Sequence, residues 1–155
     1  MRRDAAARAA GCGAEAVPLE RLWREADVVS NHLRLVPETR GFIGRAAFAA
    51  MRPTAFFVDT TRGGVVDEQA LIDALHLGAI AGAALDVFAR EPLSPDSPLR
   101  ALDDVILTPH AAWLTHETSR RMAVTSIDNV RAFFDGRPAN LVNRDVLAGA
   151  ASRTP

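Results

Sequence analysis

Short apolar runs alternate with amphipathic stretches along most of this chain. "DVVSNHL" (27–33), "TAFFVDTT" (54–61), "IAGAALDVF" (80–88) and "DVILTP" (104–109) are β-branched or apolar runs of strand length. Between and after them lie segments with helical spacing. "ETRGFIGRAAFAAM" (38–51) sets Phe42, Ala46 and Ala49 on one side, interrupted by Gly41 and Gly44. "DEQALIDALHLGA" (67–79) sets Leu71, Ala74, Leu75 and Gly78 on one face, with Asp67 placed to cap its start. "THETSRRMAVTSIDNVRAFFDG" (115–136) carries a stripe of Ala123, Ile127, Val130 and Phe134, is capped by Thr115, and is stopped by Gly136 and Pro138. "REPLSPDSPLRAL" (90–102), with three prolines, reads as an irregular loop.

Strands alternating with helices predict an α/β fold, a partial Rossmann-like parallel sheet of about four strands with helices on its faces and a long C-terminal helix. In such sheets ligands sit beyond the carboxyl ends of the strands. Three polar residues fall there: Arg62 after the second strand, Asp86 at the end of the third and His110 after the fourth. They are expected to converge on one edge.

The 155 residues suffice for one domain with a real core. Composition, 48% hydrophobic and 24% charged, is that of a globular chain, and a net charge of -1 points to neither nucleic acid nor an anionic membrane. All 18 basic residues are arginine. Cys12, the single cysteine, excludes an internal disulfide and a cysteine-rich metal site; no metal is expected, and a cytoplasmic location fits. No apolar run reaches membrane-span length, and "MRRDAAARAA" lacks the apolar core of a secretory signal.

The strand-end residues suggest a chemistry. A guanidinium such as Arg62 grips a carboxylate with two parallel N–H bonds. Gly63 and Gly64 permit a sharp turn and are expected to leave the space beside it empty. His110 is a candidate proton donor near neutral pH. Glu91 opens the proline-rich loop, and a carboxylate on an imidazole favours the protonated ring and fixes its orientation. Together they suit holding a 2-keto acid and protonating its carbonyl while a hydride arrives from elsewhere. His32, His76 and His116 read as loop or helix-start residues, and Asp59, Asp67 and Glu68 as capping or solvent-facing. Trp23 and Trp113 read as packing residues, with contact to substrate the alternative for Trp113, and the phenylalanines of the last helix as core or interface.

"VDTTRGGVVDEQALIDAL", "IAGAALDVFAREPL" and "VILTPHAAW", in this order, resemble the C-terminal part of the nucleotide-binding domain of D-isomer-specific 2-hydroxyacid dehydrogenases. The similarity runs from about residue 14 to Asn143. It implies that Arg62 binds the substrate carboxylate and carbonyl, that His110 is the general acid/base, and that Glu91 pairs with it. It implies that Asp86 bonds the nicotinamide carboxamide, and that Leu33, Thr60, Thr61, Ala111 and Ala112 line the cofactor, NAD or NADP, which Arg62 and His110 also reach. The activity implied is hydride transfer between nicotinamide and a small 2-hydroxy or 2-keto acid.

The sequence departs from that family in two ways. "HLRLVPET" carries Arg34 and Val36 where the family usually has proline and threonine. No G-x-G-x-x-G occurs. The expectation is a chain that begins inside the nucleotide domain: residues 1–26 a residual helix and a stray strand at "CGAEAVP" (12–18), residues 27–143 a partial NAD(P)-binding domain, and 144–155 a tail. "DVVSNHL" would then be an open edge. A truncated or split dehydrogenase working with a complementing chain or as a homodimer is one reading, with weak dinucleotide binding by the chain alone. A non-catalytic, corepressor-like binding module is a second, and a decayed gene product with no stable role is a third.

Overall fold

The computed structural model describes residues 5–143; the expected tail, 144–155, lies outside them. Two compact units are present, Met1–Ala112 and Trp113–Pro155.

The first unit opens with helices α1 (Ala5–Gly11) and α2 (Leu19–Glu25), followed by β1 (Val28–Asn31), α3 (Arg45–Ala50), β2 (Phe56–Asp59), α4 (Glu68–His76), β3 (Gly82–Leu85) and β4 (Val105–Leu107). The four strands are parallel and lie in chain order, β1-β2-β3-β4. This is the expected Rossmann-like sheet, with shorter strands. Their ends have a local cause. The Asn31 side chain accepts the Leu33 N–H at 3.0 Å, and the Asp59 side chain accepts the Thr61 N–H at 2.8 Å. Each side chain captures the donor two residues on, which turns the backbone out of the ladder.

Two expected elements differ. The stretch 38–51 is helical only over Arg45–Ala50, after a 3₁₀ turn at Pro37–Thr39. Gly41 takes φ +63°, and Ile43 makes a bridge to Val66, donating to Val65 O and accepting from the Asp67 N–H. That extended anchor excludes a continuous helix. Residues 12–18 form no strand. The helix after them, α2, was not singled out from sequence, although Leu19, Leu22 and Trp23 follow Pro18 with helical spacing.

One sheet face carries the core. Val29, Phe57, Ala83 and Leu85 point into it and meet Ala47 and Phe48 of α3 and Leu71, Ala74 and Leu75 of α4. Phe48 and Phe57 pack edge to face with centroids 5.3 Å apart. Trp23 packs against this cluster, as expected. Asp67 caps α4 through the Ala70 N–H, and Gly78, at φ +62°, ends that helix rather than joining its buried face. On the opposite sheet face Val28, Phe56 and Ile106 are at least half exposed, so helices do not cover both faces within this unit.

In the second unit α5 (His116–Phe134) begins at the Thr115 cap, and Gly136 follows at φ +70°. The predicted stripe of Ala123, Ile127, Val130 and Phe134 is exposed, as is Phe133. No helix among the described residues is long and apolar enough to cross a membrane.

Candidate active site

The loops at the carboxyl ends of β2, β3 and β4 hold the residues that the sequence pointed to. Arg62 follows β2 by three residues, in extended conformation, and its Nη1 donates to the Thr61 carbonyl at 2.7 Å. Arg62 is exposed. Gly63 and Gly64 form the 3₁₀ turn behind it with Val65.

The glycines do not leave empty space. A Cβ on Gly63 would overlap the carbonyl carbon and oxygen of Phe88, so the arginine loop lies directly on the backbone that follows β3. A Cβ on Gly64 would meet the end of the Leu35 side chain, at 3.1 Å, and Arg40 Nη1, at 3.6 Å. Neither glycine has a positive φ, so close approach, not an unusual turn, is what Gly63 supplies.

The backbone pressed against Gly63 positions Glu91. The Phe88 N–H donates to Glu91 Oε1 at 3.1 Å, and the Ala89 N–H donates to Glu68 Oε2 at 2.9 Å. Glu68 therefore also ties α4 to the 88–91 turn. Its acidity and helix-start position gave no sign of this, because the partner lies 21 residues away. The other Glu91 oxygen, Oε2, lies 2.7 Å from Nδ1 of His110. His110 takes φ 54°, a left-handed conformation uncommon outside glycine, Asn, Asp and His.

The Glu91 carboxyl sits below its ordinary value. The largest cause is the hydrogen bond with His110; burial opposes it, and the Phe88 N–H and the charges of His110 and Arg62 add to the lowering. An ionised Glu91 can only accept, so Nδ1 carries the ring proton toward it and Nε2 is left facing away.

Asp86 is buried, as its position at an apolar strand end suggested. Burial pushes its carboxyl up, but the Thr108 hydroxyl, the N–H groups of Ala112 and Ala111 and the charge of His110 outweigh that and lower it. Oδ1 accepts from Thr108 Oγ1 and from Ala111 N at 2.8 Å, and Oδ2 accepts from Ala112 N at 3.0 Å. Asp86 thus shapes the turn that presents His110. A carboxylate offers about four acceptor positions, and three are used.

Of the other sequence-selected residues, Thr60 is exposed after β2, and Thr61 bonds Asp59 and Asn31. Leu33 is 39% exposed and is tied by its N–H to Asn31. Thr39 takes over the cap that Val36 cannot provide, accepting from the Val36 N–H at 2.9 Å and donating to the Arg34 carbonyl at 2.7 Å. Asp59 is buried rather than solvent-facing. His32 bonds Ser30, and His76 and His116 stand on exposed helix ends. A cavity of about 540 Å³ opens beside the His110–Glu91 pair, lined among others by Phe88, Leu93, Arg100 and Leu107. Among the described residues no group of three or more His, Cys, Asp or Glu could hold a metal ion.

A parallel sheet whose strand ends present an arginine, a buried acid and a carboxylate-paired histidine defines an α/β domain of the nucleotide-binding kind. Residues 1–112 match the model of the D-isomer specific 2-hydroxyacid dehydrogenase NAD binding domain, and the chain belongs to that family. It is 52% identical over 136 residues to a glyoxylate reductase of Aeropyrum pernix, covering 87% of this chain and 41% of that protein. The structure is similar to a D-lactate dehydrogenase with NAD+ from Lactobacillus jensenii, with 33% identity, a TM-score of 0.76, and coverage of 81% of this chain and 42% of the other. A Xanthobacter autotrophicus family member in complex with NADPH and MES is 41% identical, with a TM-score of 0.67, over 79% of this chain and 50% of the other. The chain therefore spans about 41% of the length of the curated relative it matches.

Proposed function

We propose that this chain supplies the acid/base and anion-binding half of a nicotinamide-dependent reductase for small 2-keto acids such as glyoxylate. The observation that carries this reading is the 2.7 Å contact between His110 Nδ1 and Glu91 Oε2. The Gly63–Phe88 approach places the arginine loop against the same turn, and the charge of Arg62 reaches Glu91.

Arg62 grips the substrate carboxylate and directs its carbonyl toward His110. The ionised Glu91 orders the imidazole so that Nε2 faces the substrate. Nε2 gives its proton to the carbonyl oxygen in reduction and takes it back in oxidation. Nicotinamide, when bound, supplies or accepts the hydride at C4. The donor set fits that group at its nicotinamide end: the unused acceptor position of Asp86 matches a carboxamide N–H. Leu33, Thr60, Thr61, Ala111 and Ala112 lie at neighbouring strand ends, where a dinucleotide crosses such sheets. The relatives with NAD+ and NADPH support either dinucleotide. Residues 27–143 would form the cofactor-side domain.

Among the described residues β1 is an edge strand of the sheet, which supports a complementing segment or a second copy adding a strand there. The test is NADH-dependent glyoxylate reduction by the chain, alone and mixed with a polypeptide corresponding to the part of the Aeropyrum relative that it does not match. Turnover abolished by His110→Asn and Arg62→Ala is expected. Turnover indifferent to both substitutions, or none in either condition, contradicts the proposal.

A further inference from the structure

Asp59 is the largest departure from what a core residue should be. It is 1% exposed, and its Oδ2 is buried without a hydrogen-bond partner among the described residues. A carboxylate oxygen in that condition is costly. An apolar residue at the end of β2 would serve the core better, as Leu85, its partner across the sheet, does.

The other oxygen shows what the position gains. Oδ1 accepts from both the Thr61 N–H and the Thr61 hydroxyl, each at 2.8 Å. The Thr61 hydroxyl oxygen in turn accepts from Asn31 Nδ2 at 2.9 Å, and Asn31 Oδ1 accepts from the Leu33 N–H at 3.0 Å. Asn31 is 3% exposed and lies in register with Asp59 on the neighbouring strand. On the chain's other side, the Thr61 carbonyl receives the Arg62 guanidinium. One buried carboxylate thus sits at the root of a relay that ends on both Arg62 and the Leu33 turn. Asp59 and Glu68 also line a cavity of about 10 Å³, at the lower limit for admitting a single water.

We propose that Asp59 is a positioning residue, which with Asn31 fixes the Thr61 peptide so that Arg62 and the turn at Leu33 are set by one buried network. Its consequence for catalysis rests on the reading of Arg62 given above. Its test does not, because it is read from the backbone and side chains of the full chain without substrate or cofactor.

The experiment is amide hydrogen exchange and Arg62 Nε relaxation on the isotopically labelled full chain. Asp59→Leu removes both acceptors. Exchange at the Thr61 N–H should rise roughly 10- to 100-fold, the scale of one lost hydrogen bond to a charged group, while the Leu85 amide keeps its protection. The Arg62 Nε–H should become more mobile. Asp59→Asn keeps one oxygen and should restore both signals, a rescue that a purely space-filling role would not need. Should the leucine variant fail to fold, Thr61→Val and Thr61→Ser decide. Valine should speed Leu33 amide exchange by roughly tenfold, and serine should not. A folded Asp59→Leu protein with unchanged Thr61 exchange and Arg62 mobility overturns the proposal, as does Thr61→Val with Leu33 unaffected.

Discussion

Gly63 lies so close to the Phe88 carbonyl group that any side chain at Gly63 would occupy the same space. This contact joins the arginine loop to the turn whose N–H holds Glu91, and so links two strand ends that are 26 residues apart in sequence through backbone alone. Gly63→Ala should therefore force the two loops apart and destabilise the protein by about 1–3 kcal/mol or more. Gly64→Ala should cost little, because the Leu35 tip can move. Denaturant unfolding of the two variants checks the contrast; equal effects would show that the approach is not a constraint.

Acid should weaken this fold through Glu91 and Asp86. Both carboxyls lie below their ordinary values in the native state. A carboxyl of that kind contributes stability that is complete above its unfolded value, about 4.3 for Glu and 3.9 for Asp. That contribution is lost as pH falls through the lower native value. The melting temperature should thus decline on acidification below about pH 5. The decline should be shallower in Glu91→Gln, which has no charge to lose there. Calorimetry across that range measures it, and parallel curves for the two proteins would refute the assignment.

Asp86→Asn should be more damaging at neutral pH than Glu91→Gln. Asp86 is buried and serves three donors from Thr108, Ala111 and Ala112. An amide turns an NH₂ group toward one of those donors, leaving a part-buried donor unsatisfied at about 1 kcal/mol or more. The Glu91–His110 pair is more than one-third exposed on both sides, so water softens its loss. Equilibrium unfolding at neutral pH gives the order.

Phe57 is fully buried and meets Phe48 edge to face. Phe57→Ala should cost about 3–5 kcal/mol. Phe56, its neighbour on the open sheet face, is half exposed, and Phe56→Ala should cost much less. Thermal unfolding of the pair tests which face of the sheet carries the core.

The alternation of apolar runs was enough to place four parallel strands, and the three strand-end motifs were enough to bring Arg62, Glu91 and His110 to one edge. These features are local in sequence or follow from the geometry of parallel sheets. What stayed hidden depends on distant partners. Glu68 looked like an ordinary helix-start acid because the Ala89 N–H it binds lies 21 residues away, and the burial of Asp59, whose bonds to Thr61 are local, is set by the elements packed around it. Gly63 looked like a turn residue because a tight backbone approach leaves no side-chain signature. The helix expected over 38–51 failed for a related reason: the Ile43–Val66 bridge competes with it from 23 residues away. The apolar stripe of α5 left core and interface open, because periodicity reports a face but not what covers it.

Arg62→Lys separates charge from geometry. Lysine keeps the positive charge but cannot make two parallel bonds to a carboxylate. Glyoxylate affinity should fall by roughly 10- to 100-fold, the cost of one charge-assisted bond. A titration that shows no loss would mean that Arg62 acts as a point charge only.

The most direct test is a glyoxylate titration of the full chain, followed by NMR at Arg62 Nε and His110 Nε2 together. Both resonances should move along one saturation curve, with Arg62→Ala abolishing the His110 response and His110→Asn leaving that of Arg62. Saturating glyoxylate that moves neither nitrogen, or moves Arg62 while His110 stays still, would contradict a shared site for the arginine and the histidine.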